Sequence, residues 1–120
     1  MKVLFDHNVD RRFRPHLPGH AIQTAREMGW DKLENGVLLK TAVDDGFEVM
    51  LSLDKKLEHE QNLKSLPLPV IVIDSLSSAL PALLPFAAGI AELLGSPLER
   101  LLYVVQADGA VLRLSAPRQG

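Results

Sequence analysis

The chain of 120 residues has no cysteine, and it has only one tryptophan, one tyrosine and four phenylalanines. Without cysteine there is no disulfide, no thiolate zinc site and no cysteine nucleophile. So few aromatic residues do not make a surface on which successive bases stack. Long apolar runs are also missing. The longest, residues 79–91, contains Pro81 and Pro85 and falls short of the ~18–20 residues that a membrane helix needs. Asp6 closes the N-terminal apolar run too early for a secretory signal. These absences lead us to expect a cytoplasmic protein with no membrane partner. An excess of positive charge is missing as well: 13 basic against 15 acidic residues give a formal charge of −2. That excludes a protein that coats nucleic acid by bulk charge.

What is present is an ordinary globular composition, 47% apolar and 23% charged, at a length that suits one domain. Three apolar runs read as strands buried on both faces of a parallel sheet: Val3-Leu4-Phe5, Val49-Met50-Leu51 and Val70-Ile71-Val72-Ile73. Ala21 to Thr24 is a weaker strand candidate. Residues 36–45 predict a helix whose inward stripe is Val37, Leu38, Thr41 and Ala42, with Asn35 as N-cap and Gly46 as the stop. Residues 11–17 predict a short helix ending before Pro18-Gly19. Strands alternating with helices at this spacing predict an α/β sheet.

The C-terminal third differs in texture. Ser75, Ser77 and Ser78 offer caps for a helix over residues 80–94, which is apolar nearly all round and stopped by Gly95-Ser96-Pro97. Such a helix needs cover on two sides, from its own sheet or from a second copy in a homodimer. Residues 101–106 and 110–114, joined by Ala107-Asp108-Gly109, predict a β-hairpin. Residues 117–120 read as a frayed end. The expected plan is one domain over residues 1–116: a βαβαβ core at 1–75, the apolar helix at 76–96 and the hairpin at 100–115.

Ligands of an open α/β sheet bind beyond the carboxyl ends of its strands. Asp6, Asp54 and Asp74 each follow one of the three apolar strands. Three carboxylates on one rim suit Mg²⁺ or Mn²⁺, which can activate water against a phosphodiester. A carboxylate directly after a strand also serves as a helix N-cap, and that reading weighs most at Asp74. Charge is uneven as well: residues 1–20 hold four basic and two acidic side chains (4 − 2 = +2) and three of the four histidines. Arg11, Arg12 and Arg14 form a basic corner suited to RNA phosphates, with a solvated face as the alternative. Lys55 and Lys56 extend that surface, and Gln61-Asn62 reads either as a contact to a base or phosphate or as the end of a short helix. His7 reads as a surface histidine or a proton shuttle, and Trp30 as a core anchor.

Residues 1–9 (Met-Lys-Val-Leu-Phe-Asp-His-Asn-Val), residues 34–39 with Ala42, residues 46–54 and Gln61-Asn62-Leu63 together carry a resemblance. They look like the small PIN-like proteins, and more narrowly the DUF5615 PIN-like domain family. The resemblance covers about residues 1–75. It implies a three-layer fold with a central, mostly parallel sheet of order 3-2-1-4-5, to which the C-terminal β-hairpin is an extension. It implies a divalent-metal endoribonuclease, often the toxin of a toxin–antitoxin pair, with an antitoxin protein as partner and Asp6 and Asp54 as metal ligands. The family pattern puts an acidic residue seven positions before Ala42, where this chain has Asn35. An amide oxygen can ligate a cation but supplies no negative charge, and Glu34 is the nearby substitute. The alternative is therefore an RNA- or protein-binding module on the same scaffold. A phosphoacceptor receiver domain is rejected, since it needs a lysine after its last strand and none follows Lys64.

Overall fold

The apolar runs form strands because β-branched and bulky side chains pack well on a pleated surface with cover on both faces. The computed structural model describes residues 1–119. Its strands are β1 (Lys2–Phe5), β2 (Ala21–Thr24), β3 (Val49–Ser52), β4 (Val70–Ile73), β5 (Leu102–Val105) and β6 (Val111–Leu114), in one sheet of order β2-β1-β3-β4-β5-β6. Pairing is parallel from β2 through β5, and β6 runs antiparallel to β5. The sheet is thus α/β and mostly parallel, but its order is not the expected 3-2-1-4-5. Burial explains the arrangement. Val49 to Ser52 are buried at all four positions, which requires neighbours on both sides, whereas Ala21 to Thr24 alternate exposed and buried, as an edge strand does. The hairpin also differs from expectation: its first strand, β5, continues the parallel sheet beside β4.

Alternate side chains of each strand enter opposite layers. On one face Phe5, Leu51, Ile71, Ile73 and Tyr103 pack with Phe13, Leu83, Phe86 and Ile90. On the other, Leu4, Met50, Val70, Val72 and Leu102 pack with Leu38, Leu39, Ala42 and Leu57. Each fully buried large aliphatic side chain contributes roughly 1.5–3 kcal/mol.

Helix α1 (Asn35–Asp44) starts one residue earlier than predicted, and Glu34 at its N-cap makes no side-chain cap bond. The buried stripe is Leu38, Leu39 and Ala42, while Val37 is exposed. Leu39 fills the sheet-facing position better than Thr41, whose hydroxyl donates to the Val37 carbonyl at 2.7 Å. Gly46 follows the helix at φ +90°, a conformation that glycine adopts at little cost and residues with a β-carbon rarely do. Residues 11–16 form a 3₁₀ turn capped by Asp10, and α2 (Leu57–Glu60) follows Asp54.

The predicted helix over 80–94 is broken into α3 (Leu80–Leu83), a 3₁₀ turn (Leu84–Phe86) and α4 (Ala87–Leu94). Pro85 is the cause: it has no N–H to donate, and its ring crowds the carbonyl four residues back. The serines do not cap it through the N-cap position, which is Ala79; Ser77 Oγ instead accepts from the Ala79 N–H at 3.1 Å. Leu83, Phe86, Ile90, Leu93 and Leu94 are buried in the sheet's own core, so this chain covers one side of the segment, while Leu84 stays exposed.

The tail is held down rather than frayed as far as it is described; Gly120 lies outside the described residues. The Arg118 backbone N–H donates to Glu58 Oε2 and its Nη2 to Oε1, both at 2.7 Å. Glu58 is buried, and these bonds from Arg118 hold its carboxyl below the ordinary value despite desolvation. A depressed carboxyl contributes stability above its unfolded-state pKa and loses it as pH falls through the folded one, so acid releases this clasp. Among the described residues no helix is long and apolar enough to cross a membrane.

Candidate strand-end site

The chain leaves β1 for β2 on one side and returns to β3 on the other. That reversal opens a crevice beyond the carboxyl ends of β1 and β3, the position where doubly wound sheets bind ligands. Asp6 follows β1, Ser52 ends β3 and Asp54 comes two residues later. The Asp6 N–H donates to the Leu51 carbonyl at 2.8 Å, which carries the ladder one residue beyond β1.

Asp6 is fully buried. Its Oδ2 accepts from the Ser52 hydroxyl at 2.7 Å, and its Oδ1 accepts from the His7 backbone N–H at 2.8 Å and contacts His7 Nδ1 at 3.0 Å. Ser52 Oγ in turn accepts from the Asp54 N–H at 3.0 Å. One serine therefore joins the two strand-end aspartates, and Asn8 Oδ1 adds a third tie by accepting from the Leu53 N–H at 3.1 Å. Ser52→Ala strands one oxygen of a buried carboxylate and removes the partner of a backbone N–H. Hydrogen bonds to charged groups contribute about 1.5–3 kcal/mol and neutral ones about 0.5–1.5. We expect urea unfolding to show a loss of about 2–4 kcal/mol at unchanged slope; a loss under about 0.5 kcal/mol would mean the serine does not hold the rim.

The other predicted residues have various fates. Asn35, expected as a cap or a ligand, turns its amide to Asp54 and donates from Nδ2 to Oδ2 at 3.2 Å. Asp54 also accepts from the Lys56 N–H at 3.0 Å, a turn before α2 rather than the expected cap, since the N-cap position is Lys56. Asp74 pairs with Lys55 at 2.8 Å, which occupies both side chains. Asn62 caps the 3₁₀ turn Leu63–Ser65 by accepting from the Lys64 N–H. Arg12 grips Asp10 and holds that carboxyl below its ordinary range; Arg14 pairs with Glu27 at 2.7 Å. Among the described residues, Arg11 and Arg26 form no ion pair, and no three His, Asp or Glu side chains group as a metal cage. Trp30 is the expected core anchor, edge-on to Phe47 at 5.8 Å.

Two open grooves meet at His7. One, of about 450 Å³, is lined by His7, Glu34, Asn35, Gly36, Glu60 and Gln61 together with Leu33. The other, of about 420 Å³, is lined by His7, Val9, Asp10, Arg11, Thr24 and Arg26. Each is of nucleotide size. Sequence reasoning missed Ser52, Thr24 and Arg26. Thr24 and Arg26 reach the site because β2 pairs in register with β1, Phe5 opposite Thr24, so the residues after each strand become neighbours.

Comparison of the chain with protein-family models, with curated proteins and with solved structures finds no match.

Proposed function

We propose that this protein is a PIN-like module that binds single-stranded RNA across the β1/β3 strand ends, with too few carboxylates for two-metal hydrolysis. The observation that carries the reading is the Asn35 amide, which donates to Asp54 where the resemblance calls for a third acid. Mg²⁺ and Mn²⁺ want anionic oxygens free to coordinate. Here the donor set fits them poorly: both oxygens of buried Asp6 are engaged by Ser52 and His7, and Asp74 is neutralised by Lys55. Support for RNA comes from the adjoining groove, where, among the described residues, Arg11 and Arg26 form no ion pair and the one acid in the lining, Asp10, is held by Arg12. Guanidinium groups in that state suit phosphate oxygens.

A metal-dependent endoribonuclease, the toxin of a toxin–antitoxin pair, is the second reading. The Ser52 link favours it, because it keeps Asp6 and Asp54 on one rim. Calorimetric titration with Mn²⁺ separates the two. The binding module takes up no Mn²⁺ even at millimolar metal. Saturable uptake that Asp54→Asn abolishes would replace the first reading by the second.

A further inference from the structure

Asp6 and His7 make an arrangement that the RNA-binding reading does not use. Asp6 is fully buried, and both its oxygens are fixed: Oδ2 by the Ser52 hydroxyl at 2.7 Å, Oδ1 by the His7 backbone N–H at 2.8 Å. Its Oδ1 also lies 3.0 Å from His7 Nδ1. A carboxylate only accepts hydrogen bonds, so the tautomer of a neutral imidazole that this contact favours is the one with its proton on Nδ1. The lone pair is then on Nε2, at the ring edge turned away from Asp6. The His7 side chain is 58% exposed, and it is the residue that both grooves share. A base held in one tautomer by a buried acid is the positioning logic of acid–histidine pairs in acyl- and phosphoryl-transfer enzymes.

We propose that His7 is the general base of a metal-independent RNA cleavage, with Asp6 as its positioning residue. This rests on the RNA-binding reading above. His7 Nε2 takes the proton of a ribose 2′-OH, and the 2′-oxygen forms a bond to the adjacent phosphorus. The bond from phosphorus to the 5′-oxygen of the next nucleotide breaks, and water protonates that oxygen. The hydroxide left behind recovers the proton from the imidazolium. The products are a 2′,3′-cyclic phosphate and a free 5′-hydroxyl, with no oxidant, metal or other co-reactant. Arg11 and Arg26, in the groove that His7 borders, are placed to hold the phosphate and to stabilise the charge that builds on it. The substrate class is single-stranded RNA; DNA and 2′-O-methyl RNA have no nucleophile and are bound without being cut.

The test is incubation of end-labelled single-stranded RNA with the protein in excess EDTA, with the end groups identified and affinity measured separately. The expected result is cyclic-phosphate and 5′-hydroxyl ends. His7→Gln should slow cleavage by roughly 100-fold or more, the usual size of a general-base contribution, a loss that any change in RNA affinity, measured separately, does not account for. The His7 ring is exposed, so this variant keeps the fold. Asp6→Asn should lower kcat without raising KM, because it disturbs the tautomer and not the phosphate contacts. Bound but uncut RNA in EDTA overturns the proposal and leaves RNA binding intact, as does a His7→Gln protein that cuts as fast as the parent. Products with 5′-phosphates that require Mn²⁺ overturn it in favour of metal chemistry. A protein that binds no RNA removes this proposal and the RNA-binding reading together.

Discussion

Phe13→Ala is expected to cost about 3–5 kcal/mol of folding free energy, the range for deleting a buried aromatic side chain. Phe13 is fully buried and its ring centroid lies 6.2 Å from that of Phe5, the residue before Asp6. It is the one buried residue of the 3₁₀ turn Arg11–His16, so it pins that turn to the sheet. Domains of this kind have roughly 5–15 kcal/mol in total, which makes the loss a large share of what there is. The turn carries Arg11, so the same change should also weaken RNA binding in protein that remains folded. Phe13→Leu keeps most of the volume and should cost much less, within about 1.5 kcal/mol if the site repacks. Urea unfolding of the two variants checks this. A Phe13→Ala loss under about 1 kcal/mol would show that the turn is not anchored through this ring.

The parts of the fold that follow from local chemistry were legible in the sequence. Val3 to Phe5, Val49 to Leu51 and Val70 to Ile73 are strands where their apolar runs predict them, because buried parallel strands leave an unbroken apolar signature. Gly46 stops α1 by taking a positive φ, whereas α4 ends at Gly95 with that residue still at φ −80°. The sheet order was less accessible. It depends on which edge of β1 accepts β2, and that is decided by packing against both layers rather than by any one segment. The break at Pro85 was legible in principle, since proline inside a helix removes a donor, but the apolar run around it dominates the pattern.

The site divides in the same way. That Asp6 and Asp54 share a rim follows from their positions one and two residues beyond parallel strands. That Ser52 joins them does not, since a serine ending a strand carries no distinctive signal until the register of β1 against β3 is known. Partners far apart in sequence were equally hidden: Arg14 finds Glu27 at a separation of 13 residues, and Arg118 finds Glu58 at 60. These pairings matter for function because they reduce the apparent basic corner. Of the three arginines near the N-terminus, Arg12 and Arg14 are taken by carboxylates and Arg11 is not. Arg26, from the segment after β2, takes their place in the groove. The low overall charge then ceases to be an obstacle, since two free guanidinium groups in one groove suffice for a local contact with a phosphate chain.

Those two side chains supply the second large effect and the most direct test of the account. If each holds one phosphate through a charge-assisted bond of about 1.5–3 kcal/mol, the double variant Arg11→Glu, Arg26→Glu should weaken binding roughly 100-fold or more, at about 1.4 kcal/mol per tenfold. Losing two contacts to single-stranded RNA should also make the fall of log affinity with log salt shallower by roughly 1.4. Both side chains are exposed, so the variant should unfold at the same urea concentration as the parent. The measurement is fluorescence anisotropy of a labelled single-stranded 2′-O-methyl RNA in EDTA, over a series of salt concentrations, for the parent and the double variant. The account predicts binding by the parent without metal and its loss, with the shallower salt dependence, in the variant. Equal binding by the two proteins, or no binding by the parent, would contradict it.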